Sequence, residues 1–101
     1  VTKKTYYDIT LPELKLLKEQ PGIIVVDVRE PWEFDEFNEG GINIPLAKIR
    51  ERRAAIIHYT TIIVVCTNGV RSKVAAMDYC RVTTWEDKKI LHLHGGILEV
   101  E

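Results

Sequence analysis

The chain has 101 residues, of which 46% are hydrophobic and 29% charged, and its formal net charge is -1 at pH 7. That is the size and composition of one soluble globular domain. The near-neutral balance gives no electrostatic footprint for nucleic acid or an acidic membrane surface, and no apolar run approaches the roughly 20 residues that span a bilayer. The two cysteines, Cys66 and Cys80, are too few for a disulfide framework, so a reducing, cytoplasmic setting is expected. The chain starts at Val1 and not at Met; the expectation is a single domain over residues 1–101, excised from something longer.

Tyr6 to Ile9 is read as a short edge strand. Thr10-Leu11-Pro12-Glu13 follows, a capping-box pattern with a proline where a first helical turn tolerates it. Leu11, Leu14 and Leu17, with Leu16 beside them, give that helix an apolar face, and Pro21-Gly22 stops it. The β-branched run from Ile23 to Val28 suits a strand covered on both faces, as in a parallel sheet. Pro31 to Phe37 reads as a short helix offering Trp32, Phe34 and Phe37 for packing. Asn38 to Gly41 is a turn, and Ile42 to Ile44 a brief strand ended by Pro45. Leu46 to about Ile57 reads as a charged helix; its arginines, Arg50, Arg52 and Arg53, make either a solvated face or a docking surface for an acidic partner.

Thr61 to Val65 is a second apolar strand. A helix follows, with Val70, Val74 and Met77 at helical spacing and Ala75, Ala76 and Cys80 beside them. Val82 to Thr84 is expected to end it. Lys89 to Leu93 is a last strand, and Gly95-Gly96 leads into Ile97 to Val100, read as the first turn of a further helix. Strands alternating with helices mean an α/β domain around a mainly parallel sheet. Ligands of such sheets sit beyond the carboxyl ends of the strands, where Asp27 and Cys66 both fall.

The stretch Cys66-Thr67-Asn68-Gly69-Val70-Arg71-Ser72 carries the chemistry. A cysteine at a strand end is followed by a short loop that runs straight into a helix. N–H groups of such a loop and of the first helical turn have no internal partners, and they favour an anion above the loop. Cys66 is therefore expected to be more nucleophilic than a free cysteine, and the loop to cradle a small anion or a persulfide; the alternative is a buried structural cysteine. Gly69 supplies the turn. Asn68 either shapes the turn or presents its amide to substrate. Arg71 is read first as the anion contact, with a salt bridge to an acidic residue as the alternative. Ser72 is read first as a capping residue, with donation to sulfur as the alternative.

Here a resemblance appears. Ile-Val-Val-Asp-Val-Arg-Glu at 24–30, Ile-Asn-Ile-Pro-Leu at 42–46, Val-Val-Cys-Thr-Asn-Gly-Val-Arg-Ser at 64–72 and Leu-His-Gly-Gly-Ile-Leu at 93–98 resemble the rhodanese-like domains, in order and in spacing. The resemblance implies a central parallel sheet flanked by helices on both faces. It implies that Cys66 is the catalytic residue, taking up sulfane sulfur from thiosulfate, another small donor or a persulfide-donor protein. The sulfur passes to a thiol or sulfur-carrier acceptor without cofactor, metal, nucleic acid or membrane. Cys66 through Arg71 makes six residues, as in sulfur-transfer members; the related cell-cycle phosphatases have one more. The Asn-x-Gly-Gly turn at 38–41 looks like the rhodanese domains fused to adenylating enzymes of thiamine and molybdopterin biosynthesis. Thr67 stands where many active members carry Arg, which weakens the case for thiosulfate as donor. The competing expectation is a non-catalytic docking domain of a larger protein.

Asp27 and Arg29 either brace the cysteine loop from the neighbouring strand or make a local salt bridge. Cys80 reads as a small buried apolar residue, since the helix carries it away from Cys66. His92 and His94 alternate at a strand end, but two histidines without a third ligand make a poor metal site. Trp32 and Trp85 read as core or interface anchors.

Overall fold

The computed structural model describes residues 4–98. Five strands form one sheet in the spatial order β1-β5-β4-β2-β3, and all four pairings are parallel. The strands are β1 (Tyr7–Ile9), β2 (Ile23–Asp27), β3 (Ile42–Asn43), β4 (Thr61–Val65) and β5 (Lys89–Leu93). Three α-helices connect them, α1 (Leu11–Leu17), α2 (Pro31–Glu36) and α3 (Val70–Tyr79), with short 3-10 turns at Leu46–Lys48, Arg53–Ile56 and Thr83–Trp85. No helix among the described residues is long and apolar enough to cross a membrane.

Alternation along the strands divides the core in two. Val26, Ile62, Val64, Cys66 and Ile90 face α3, where Ala75, Ala76, Tyr79 and Trp85 cover them. Val25, Ile63, Val65, Leu91 and Leu93 face the other way, where Leu14 of α1 is packed with Leu11 and Leu17 at its edges. The sheet is thus covered on both faces, which is why β2 and β4 read as continuous apolar runs. α1 begins as its sequence indicated: Thr10 and Glu13 make both bonds of the capping box. Leu16 is the exception on that helix, pointing outward at 75% exposure.

Two helical expectations change. The segment 46–57 is not one helix but two 3-10 turns; the chain leaves helical angles at Arg52, with φ -111° and ψ 20°. Arg50 and Arg53 then both reach Asp78 of α3, at 2.7 and 3.4 Å. On α3 the stripe Val70, Val74 and Met77 faces out, and the buried side is Ser72, Ala75, Ala76 and Tyr79. Trp32 is likewise mostly exposed and Phe37 about half exposed, whereas Trp85 is a core residue. Cys80 is half-buried at the end of α3, and burial pushes its thiol pKa up. The helical turn expected at 97–100 falls partly outside the described residues; Gly95 to Leu98 are turn and bend.

Gly40 and Gly41 both hold left-handed angles, φ 87° and 81°. A Cβ on Gly40 would meet nothing, but one on Gly41 would be driven into the Val25 carbonyl of β2. Gly40→Ala should therefore cost only the left-handed penalty, about 1 kcal/mol. Gly41→Ala should cost clearly more, because backbone must shift. Urea unfolding of both variants checks this; equal losses would show that the Gly41 approach to β2 is not tight.

Candidate active site

Parallel register puts the carboxyl ends of β2, β4 and β5 on one edge, with Asp27 opposite Val65 and Val64 opposite His92. Cys66 follows β4 directly and is fully buried. Gly69 then turns the chain with φ 93° and ψ -6°, and as the residue preceding α3 it offers no side chain to cap the helix. The cysteine does so instead. Its Sγ accepts the Gly69 N–H at 3.1 Å and the Ser72 N–H at 3.3 Å. A sulfur in this position satisfies otherwise orphaned donors and lies at the positive end of the helix dipole. Among the described residues, the N–H groups of Asn68 and Arg71 have no acceptor. The loop is propped from β5: Ile97 and Leu98 donate N–H to the carbonyls of Cys66 and Thr67 at 2.9 and 3.2 Å. A Cβ on Gly96 would collide with that Thr67 carbonyl.

Ser72 is not a cap. Its Oγ lies 3.3 Å from Cys66 Sγ and 2.9 Å from His92 Nε2. The thiol donates to that hydroxyl, and once the sulfur is an anion the hydroxyl donates to it. Asn68 shapes the turn, its Oδ1 accepting the Val70 N–H at 3.1 Å. Val70 itself contributes that N–H and exposes its side chain.

Arg71 does not point at the sulfur. Its guanidinium makes a two-pronged pair with Glu33 of α2, at 2.7 and 2.9 Å. The Thr67 hydroxyl joins it, accepting from Arg71 at 3.2 Å and donating to Glu33 at 3.3 Å. Hydrogen bonds from Arg71 hold the Glu33 carboxyl down at about pKa 2, and Glu33 in turn raises Arg71. Glu33 was not legible as a site residue, although it completes a capping box with Glu30 at the start of α2. Asp27 and Arg29 do not brace the loop. They pair with each other at 2.8 Å, both buried, and Arg29 donates to the Phe37 carbonyl at the end of α2. Their work is to fasten α2 to β2, and through Glu33 that helix holds Arg71.

His92 and Asp8 also escaped the reading of the sequence as site residues. They face each other across the β1–β5 pairing, and His92 Nδ1 lies 2.8 Å from Asp8 Oδ1. The signal was a histidine on the same strand face as Ile90, inside an apolar strand. His94 is exposed. A groove of about 600 Å³ runs beside the loop, lined by Asn68, Gly69, Lys73, His92, His94 and Gly95 among others. Cys66 is not in its wall and has no exposed surface.

The Arg71–Glu33 pair generates a pH prediction. Glu33 falls from 4.5 to about 2 on folding, so its contribution is fully present above about pH 4.5 and is lost as pH falls toward 2. Glu33→Gln should lose about 1 kcal/mol at pH 7, the scale of a part-exposed pair, and should unfold with a shallower pH dependence between pH 5 and 2. Acid titration of stability checks this; parallel wild-type and variant curves would contradict it.

Comparison with known proteins places the architecture. The family model described as a rhodanese-like domain matches residues 10–101. An uncharacterized protein of Synechocystis sp. is 31% identical over 96 residues, 94% of this chain but 52% of its own length, so the chain spans about half of that relative. A rhodanese-related protein of Thermoplasma volcanium superposes with a TM-score of 0.73 at 27% identity, covering 90% of this chain and 86% of that one. A single-domain sulfurtransferase of Saccharomyces cerevisiae gives 0.70 at 28% identity, covering 98% and 91%. With its five parallel strands and its cysteine loop at their carboxyl edge, the chain belongs to the rhodanese-like domain family.

Proposed function

We propose that this domain is a sulfurtransferase in which Cys66 carries sulfane sulfur as a persulfide. The observation that carries the reading is the Cys66 sulfur seated as N-terminal cap of α3, with N–H groups from Gly69 and Ser72 on it. In the first step the Cys66 thiolate attacks the outer sulfur of a donor; one S–S bond forms, the donor's S–S bond breaks, and the donor leaves as its thiolate or as sulfite. In the second step a thiol or sulfur-carrier acceptor attacks the outer sulfur, and the Cys66 thiolate leaves. Neither step needs a cofactor or metal. The N–H groups of Asn68 and Arg71, without an acceptor among the described residues, are available to the outer sulfur in the manner of an oxyanion hole. Likeness to the yeast single-domain sulfurtransferase supports the same reading.

The donor follows from charge. Arg71 is the loop's only cation, and Glu33 already matches it. A thiosulfate dianion would enter without a free countercharge from the loop, whereas a persulfide carries one negative charge at most. The proposed donor is therefore a small or protein-borne persulfide, and the setting a reducing, cytoplasmic one in which Cys66 and Cys80 stay thiols. The docking alternative is less supported, because two of the three arginines of its expected surface, Arg50 and Arg53, already pair with Asp78 within the chain, although Arg50 stays exposed.

Intact mass tests this. A small-molecule persulfide should add one sulfur atom, which cyanide removes, and Cys66→Ala should gain none. Thiosulfate at equal concentration should load at least about tenfold more slowly, the weight of one missing charge-assisted bond. Absence of added sulfur from either donor would overturn the assignment; equal loading would overturn the donor preference alone.

A further inference from the structure

We propose that Asp8 and His92 are positioning residues for Cys66, acting through the Ser72 hydroxyl; this rests on Cys66 being the nucleophile. The geometry fixes which way the protons point. His92 Nε2 lies 3.1 Å from the Gly69 carbonyl oxygen and 2.9 Å from Ser72 Oγ. A carbonyl only accepts, so Nε2 carries a proton, and the Ser72 oxygen receives it in the same fork. Asp8 Oδ1 likewise only accepts and lies 2.8 Å from Nδ1, so Nδ1 carries a proton as well, and the ring, donating at both nitrogens, is fixed in this orientation. With one lone pair of Ser72 Oγ filled by His92, the hydroxyl's own proton is left for Sγ at 3.3 Å. The Cys66 anion then has three donors, the N–H groups of Gly69 and Ser72 and the Ser72 O–H. The same three receive Cys66 each time it leaves as a thiolate after giving up its sulfur.

The placement is built by the fold. Asp8 and His92 are register partners on neighbouring parallel strands, so their side chains share the face that α3 covers. His92 is buried, while Asp8 is 54% exposed and opens on the groove. The other titratable or charged groups around the ring are Tyr6 of β1, edge-on at 5.4 Å between centroids, Lys73 of α3 in the same groove, and His94 of β5, whose Nδ1 is 4.0 Å from Asp8 Oδ2. None of them hydrogen-bonds to the side chain of Ser72 or Cys66 among the described residues. A purely structural role would be to tie β1 to the start of α3, and it would not require Ser72 to report on His92.

A double-mutant cycle separates the two roles. The readout is the initial rate of iodoacetamide alkylation at pH 7, followed by mass on the Cys66 peptide so that Cys80 does not count. His92→Leu should slow alkylation about tenfold, the weight of one hydrogen bond to an anion. The same substitution in a Ser72→Ala background should change it by less than about twofold. His92→Gln, which keeps an N–H donor, should restore most of the wild-type rate. The ¹⁵N spectrum of the wild-type His92 ring should show a proton on Nε2, and Asp8→Asn should disturb the ring signals without unfolding the protein. Equal losses from His92→Leu in both backgrounds, or a ring with a bare Nε2, would overturn the relay. Persulfide loading by mass is read separately, so failure of the relay and failure of sulfur transfer are distinguishable.

Discussion

A sulfur atom stands where a helix would ordinarily have a serine or aspartate cap. Cys66 takes the N–H groups of Gly69 and Ser72 because Gly69, in left-handed angles, has no side chain to take them. A helix start without an oxygen cap leaves donors in search of an acceptor. The acceptor here is the Cys66 sulfur, the atom proposed as nucleophile. The rest of the molecule holds that arrangement in place: parallel strands deliver Cys66 to the edge of the sheet, the turn after β5 supports the loop from below, and α3 closes over it with small residues.

Charge near the site is spent on architecture. Arg29 and Asp27 neutralise each other in the core and secure the end of α2. That helix presents Glu33, which takes the guanidinium of Arg71 and, with Thr67, closes the far side of the loop. What remains around the Cys66 sulfur is a ring of N–H dipoles with little net charge. Under the proposed sulfur transfer, such a ring suits a monoanion that must be handed on, since a strong countercharge would hold the persulfide as well as it held the donor.

The sequence was most readable where local and tertiary preferences agree. Thr61 to Val65 and Lys89 to Leu93 are strands with the expected bounds, and Thr10 and Glu13 cap α1 as their spacing indicates. It was least readable where packing geometry outweighs hydrophobicity. Val70, Val74 and Met77 have the spacing of a buried stripe, yet α3 turns Ala75, Ala76 and Tyr79 to the sheet and leaves the stripe exposed. The loop was legible as a cysteine cradle from its own residues. Its supports were not, because Glu33, Asp8 and His92 reach it from 33, 58 and 26 positions away in the chain, and no local pattern encodes such contacts. For the Asp-x-Arg of 27–29 the local alternative holds: two opposite charges two residues apart at a strand end pair with each other.

The central claim is that the loop's N–H groups hold charge on the Cys66 sulfur. The most direct measurement is the amide proton shift of Gly69 and Ser72 as the sulfur is titrated and then loaded as a persulfide. Hydrogen bonds to an anion are stronger than those to a thiol. Both amides should therefore move downfield together when the thiolate forms, and should move again on loading, while amides of α1 stay fixed. Amides of Gly69 and Ser72 that ignore the state of the sulfur would contradict the account.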